Sequence, residues 1–126
     1  MYKINFQEPC HIHFIGIGGI SMSGLAEILL KEGFTISGSD SKKSELTRKL
    51  EADGAIIQIG QRASNISGSI DVVVYTAAIH PDNPELARAT ELQIPTMTRA
   101  ELLGQIMDNY SRSIAVVLTE RLRPHL

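Results

Sequence analysis

The chain is predicted to fold as α/β: a Rossmann-like, doubly wound parallel sheet of five or six strands in three αβα layers. Three observations carry this. Short apolar runs alternate with stretches of helical periodicity, the pattern of parallel strands joined by right-handed crossovers. A glycine cluster, Gly16-Ile17-Gly18-Gly19, separates the first apolar run from the first helical stretch. The fourth run, Ile70 and Val72–Tyr75 around Asp71, is continuously apolar, as in a strand covered on both faces.

His11–Ile15 is the expected first strand. Met22, Leu25, Ala26 and Leu29 then recur at i, i+3, i+4 and i+7, the apolar stripe of a helix that Gly33 stops. Glu27 and Lys31 pair four residues apart on its other face. Phe34–Ser39 is the second strand, and Ser44–Asp53 the second helix, with Leu46 and Leu50 facing inward and Gly54 ending it. Ala55–Ile59 is the third strand, followed by a polar connection from Gly60 to Ser69 and the fourth strand. Asn83 and Pro84 begin the next helix as N-cap and first-turn proline. Ile94–Met97 forms a short fifth strand. Thr98 and Glu101 read as a T-x-x-E capping box opening a helix to about Asn109, and Ser113–Leu118 as the sixth strand.

The composition narrows the function. The 126 residues suit one domain, and a hydrophobic content of 43% with 21% charged residues is that of a folded globular chain. Twelve Lys+Arg against fourteen Asp+Glu leave a net charge of -2, with no basic excess to hold a nucleic-acid backbone. A single cysteine, Cys10, forms no internal disulfide and fits a reducing, cytoplasmic setting. The apolar stretch Ile12–Leu30 is interrupted by His13, Glu27 and four glycines, so it reads as strand, turn and helix rather than a membrane span.

In a doubly wound sheet, ligands sit beyond the carboxyl ends of the strands where the winding reverses. Gly16-Ile-Gly18-Gly19-Ile-Ser21 nearly matches the G-x-G-x-x-G dinucleotide fingerprint, with Ser21 at the third glycine position. Gly16 allows the tight turn, and Gly18 is expected to let the backbone approach a diphosphate held by the helix N-terminus. Asp40, at the end of the second strand, is spaced to accept hydrogen bonds from ribose hydroxyls. Lys42 and Lys43 read as a solvated helix start. His80 and Arg99 lie near the same edge, with a helix-start role open for Arg99. His11 and His13 share a strand face, but Cys10 lies on the other and no further ligand is near in sequence. They are read as interior histidines, and no metal site is expected.

Several spaced stretches together resemble the Mur ligases. They are His11-Ile-His-Phe-Ile-Gly-Ile-Gly-Gly-Ile-Ser-Met-Ser-Gly-Leu-Ala26, Gly38-Ser-Asp40, Ser44-Glu-Leu-Thr47, Val72-Val-Val-Tyr-Thr-Ala-Ala-Ile79, Asp82-Asn-Pro-Glu85 and Arg99-Ala-Glu101. The resemblance runs from His11 to about Met107 and is to the branch that adds L-alanine to UDP-N-acetylmuramate, in peptidoglycan synthesis. Cell wall biogenesis, cell shape and cell division depend on that pathway. It implies that residues 1–110 are the domain binding the UDP part of UDP-N-acetylmuramate, with 111–126 a remnant strand and a tail unlike the family. Substrate contacts are implied at Gly16, Gly18, Gly19, Ile20, Ser21, Ser23, Asp40, Gln61 and Thr76. Gln61 stands where the family has His on the uracil side, Thr76 replaces Ser, and Ser21 replaces Gly.

The resemblance also implies ATP and Mg²⁺ for the full-length enzyme, which activates the muramate carboxylate as an acyl phosphate. That chemistry needs a loop cradling the ATP phosphates and a lysine. No glycine follows Gly104 and no lysine follows Lys49, so the sequence contains no G-x-x-x-x-G-K-[ST] loop. The chain is therefore expected to be truncated before the ATP loop and inactive alone, with no catalytic residue and no cofactor of its own. Arg121, Arg123 and Pro124 are expected to form a frayed end. Two other readings stay open on the residues: an NAD-binding domain of a dehydrogenase, and a stand-alone nucleotide-sensing module.

Overall fold

A computed structural model of the chain describes residues 1–122. Five parallel strands form one sheet in the order β3-β2-β1-β4-β5: β1 (His11–Ile15), β2 (Thr35–Asp40), β3 (Ile56–Ile59), β4 (Val72–Tyr75) and β5 (Thr96–Thr98). The helices are α1 (Ile20–Lys31), α2 (Glu45–Ala52), α3 (Pro84–Glu91) and α4 (Arg99–Leu122), with one 3₁₀ turn at Ala63–Asn65. The doubly wound α/β fold is the one predicted. The winding reverses between β1 and β4, which places a crevice at their carboxyl ends.

Alternation along the strands divides the core. Ile12, Phe14, Val72, Val74 and Met97 face the α1 stripe of Met22, Leu25, Ala26 and Leu29, together with Leu102 and Ile106 of α4. Ile15 and Val73 face the opposite layer, with Ile66, Ile70, Ala89 and Ile94. Helix starts follow their local chemistry. Ser44 and Thr47 form a reciprocal capping box on α2, and the Asn83 side chain accepts from the Glu85 and Leu86 amides at α3. At α4, Thr98 Oγ1 accepts from the Glu101 amide at 3.1 Å, while the Glu101 carboxylate takes the Thr98 hydroxyl instead of closing the box on the backbone.

Two expectations are corrected. Ser113–Leu118 is not a sixth strand but part of α4, which runs without a break across the expected boundary at residue 110. No glycine or proline lies between Gly104 and Pro124 to end the helix, and a short apolar run carries no periodicity that separates strand from helix. In α2, Thr47 is buried in place of Leu46, which is 37% exposed. The N-terminal segment, given no role in the sequence, is tied to α4. Gln105 accepts from the Ile4 amide at 2.8 Å and donates to the Tyr2 carbonyl at 2.7 Å, while Phe6 meets Phe34 edge-on. Of the expected frayed end, Arg121 belongs to α4, while Arg123 and Pro124 lie outside the described residues.

Candidate functional site

The glycine turn joins β1 to α1 at the centre of the carboxyl edge. Gly16 has φ +81°, which its lack of a Cβ permits. The amides of Gly16 and Ile17 both donate to the Ser39 carbonyl, at 2.8 and 2.9 Å, and the Gly19 amide folds back to the Gly16 carbonyl. Gly18, expected to face a diphosphate, instead donates its amide to Asp40 Oδ2 at 2.9 Å. A Cβ on Gly18 would stand 2.7 Å from that oxygen and 3.0 Å from Thr47 Cγ2, so the glycine is needed for Asp40 to close over the turn.

Four of the turn's amides are thus spent internally. The next three, on Ile20, Ser21 and Met22, have no protein partner among the described residues. Gly19 caps α1 without a side-chain hydrogen bond, so the positive end of the helix opens on solvent. Arg99, at the start of α4, reaches across to donate from Nη1 to Ser21 Oγ at 3.1 Å. Three amides, a hydroxyl and a guanidinium therefore converge on one small region, an arrangement suited to an anion with several oxygens.

The other predicted residues are distributed around this centre. Asp40 accepts from the Gly18 and Ser41 amides through different oxygens, leaving lone pairs at the rim. Thr76 is half-buried at the end of β4, in a turn closed by the Ile79 amide. Gln61 accepts from Asn83 Nδ2 at 2.7 Å, which leaves its own amide –NH₂ without a partner among the described residues. Ser23 is not brought to the surface: it is 5% exposed and its hydroxyl donates to the Ile20 carbonyl. His80 is exposed and pairs with Asp82.

The sequence reading missed Glu85. This carboxylate is 0% exposed, yet it lies in the first turn of α3, where an acidic residue ordinarily faces solvent. His13 Nε2 donates to its Oε1 at 2.5 Å and the Ser39 hydroxyl donates to the same oxygen at 2.9 Å. The Arg62 amide and Asn65 Nδ2 donate to Oε2 at 3.2 and 3.1 Å. Burial alone would raise its pKa, but the hydrogen bonds from His13, Ser39 and Asn65, with the charge on His13, hold it below the ordinary carboxylate range. Ser37 Oγ lies between His13 Nδ1, at 2.9 Å, and His11 Nε2, at 2.7 Å, and His11 Nδ1 is 3.2 Å from the Ser69 carbonyl. Burial lowers the His11 pKa, against the effect of that carbonyl, so His11 is neutral and donates to Ser69 from Nδ1. Its Nε2 then accepts the Ser37 proton. The available signal was the alternation of His11, His13, Ser37 and Ser39 within strands otherwise read as buried, since interior polar groups require partners.

Similarity to known proteins decides the lineage. The pattern of the Mur ligase family, catalytic domain, matches residues 11–111. The chain belongs to the Mur ligase family. It is 69% identical over 119 residues to UDP-N-acetylmuramate--L-alanine ligase of Agathobacter rectalis, covering 94% of this chain and 26% of that one. The same enzyme of Lachnospira eligens is 61% identical over an equal length. Among solved structures, UDP-N-acetylmuramate-alanine ligase from Thermotoga maritima superposes with a TM-score of 0.71 at 35% identity, covering 81% of this chain and 23% of that one. This Mur ligase chain spans about a quarter of the length of the curated relatives it matches.

Proposed function

We propose that this chain is the UDP-N-acetylmuramate-binding domain of an ATP-dependent ligase that joins L-alanine to that nucleotide in the cytoplasm. The observation that carries the reading is the open first turn of α1: three unpartnered amides beside the Arg99–Ser21 bond, at the point where the winding of the sheet reverses. The diphosphate would lie against the Ile20, Ser21 and Met22 amides and the Arg99 guanidinium. Gly16, Gly18 and Gly19 shape the turn rather than donate to the phosphates. Asp40 would accept from the ribose, Gln61 would donate its free –NH₂ to a uracil carbonyl, and Thr76 would offer its hydroxyl from the facing turn. Ser23 supports the turn from within.

The residues of this chain do not fit ATP and Mg²⁺ in the manner phosphoryl transfer needs. The glycine-lysine loop is absent from the sequence, and among the described residues no group of His, Cys, Asp or Glu converges as a metal site. No step of amide formation is therefore assigned to these residues. No described helix is long and apolar enough to cross a membrane.

The test is a titration of UDP-N-acetylmuramate, UDP, NAD and ATP against the 126-residue chain, followed by melting temperature and amide chemical shifts. Stabilisation grows as RT ln(1 + [L]/Kd), so weak binding is visible at millimolar ligand. The uridine nucleotides are expected to raise the melting temperature and to move the Ile20, Ser21 and Met22 resonances. Greater stabilisation by NAD than by UDP would favour the dehydrogenase reading and overturn this one.

A further inference from the structure

We propose that Glu85 is a positioning residue for nucleotide binding, its buried carboxylate holding the Gly60–Asn65 connection at a set distance from the glycine turn. The inference deepens the UDP-binding reading and rests on it. One carboxylate oxygen serves the sheet beneath the turn, through His13 on β1 and Ser39 on β2. The Ser39 carbonyl is the acceptor for the Gly16 and Ile17 amides, so this half of the network lies directly under the diphosphate region. The second oxygen serves the far side of the crevice. It accepts from the Arg62 amide, next to Gln61, and from Asn65 Nδ2, which also donates to the Gly60 carbonyl at 2.9 Å. Gln61 is held from its other side by Asn83, the cap of the helix that carries Glu85.

A fully buried carboxylate is costly to desolvate, and an apolar side chain of similar volume would fill the same space in the core. Its four donors satisfy it, and two of them belong to an otherwise irregular connection. The charged group therefore does for the β3–β4 connection what sheet pairing does for the strands. It sets where the Gln61 amide stands relative to the α1 amides. A nucleotide with base and diphosphate linked by one ribose meets both only if that separation is correct.

The experiment compares UDP with inorganic pyrophosphate on the wild-type chain and on Glu85→Gln. Gln keeps the shape but replaces one acceptor by a donor, so the network cannot be satisfied as before. UDP affinity is expected to fall about tenfold, equivalent to about 1.4 kcal/mol, with pyrophosphate affinity within about twofold of wild type. Asn65→Ala removes one donor from the half-buried connection and is expected to show the same split if Glu85→Gln fails to fold. Parallel loss of UDP and pyrophosphate affinity, or no loss of either, would overturn the positioning role while leaving UDP binding intact. Absence of UDP binding by the wild-type chain would overturn the underlying reading, and this one with it.

Discussion

Gly38 offers the sharpest test of how the site is built, because it lies in β2 under the glycine turn rather than in it. It pairs with Phe14 of β1, and a Cβ there would stand 2.6 Å from both Cβ and Cδ1 of Ile17 and 2.9 Å from the Phe14 carbonyl oxygen. Ordinary carbon contacts are about 3.5–4.0 Å, so Gly38→Ala demands a shift of about 1 Å. Ile17 cannot yield by a rotamer change alone, since its Cβ moves with a backbone whose amide is bonded to the Ser39 carbonyl, and its side chain is 0% exposed. The expected cost is about 3 kcal/mol, the upper end of overpacking. In a domain this size, that lowers the melting temperature by roughly 10–20 °C. Urea and thermal unfolding measure it, with Gly24→Ala as the comparison. Gly24 lies within α1 with nothing near its missing Cβ, so that variant should gain up to about 1 kcal/mol. A Gly38→Ala loss below about 1 kcal/mol would refute the argument that Ile17 occupies the space a side chain would need.

Two further outcomes concern charge. Asp40→Ala removes the acceptor for the Gly18 and Ser41 amides and should cost about 1–2 kcal/mol of stability, with UDP affinity lower by about tenfold; unchanged calorimetric affinity would remove the ribose assignment. Acid should destabilise the fold in two stages, read as the urea midpoint between pH 8 and pH 3. The His11 pKa is lowered on folding, so the unfolded chain takes up the proton first and stability falls as pH drops below about 6.5. Glu85 is likewise lowered, so its contribution is present above about pH 4.5 and is lost as pH falls through its folded value. His11→Gln should flatten the first stage alone; a pH profile identical to wild type would contradict the neutral, buried state assigned to His11.

The linear order of residues determined the elements that depend on near neighbours. The stripe of Met22, Leu25, Ala26 and Leu29 specified α1, and Asn83-Pro84 specified the start of α3, because helical periodicity and capping act over one or two turns. The glycine turn and Asp40 were legible as parts of one edge, since strand–turn–helix spacing places them there. The fate of Ser113–Leu118 was not legible, because an apolar run this short satisfies either backbone and the decision falls to whether a sheet neighbour exists. Three facts required the folded chain: the bond from Gly18 to Asp40, the reach of Arg99 to Ser21, and the burial of Glu85 against His13. Each joins residues 22 to 78 positions apart. Such pairs are set by which strands adjoin and which way their side chains point, a property of the assembled sheet that no local pattern encodes.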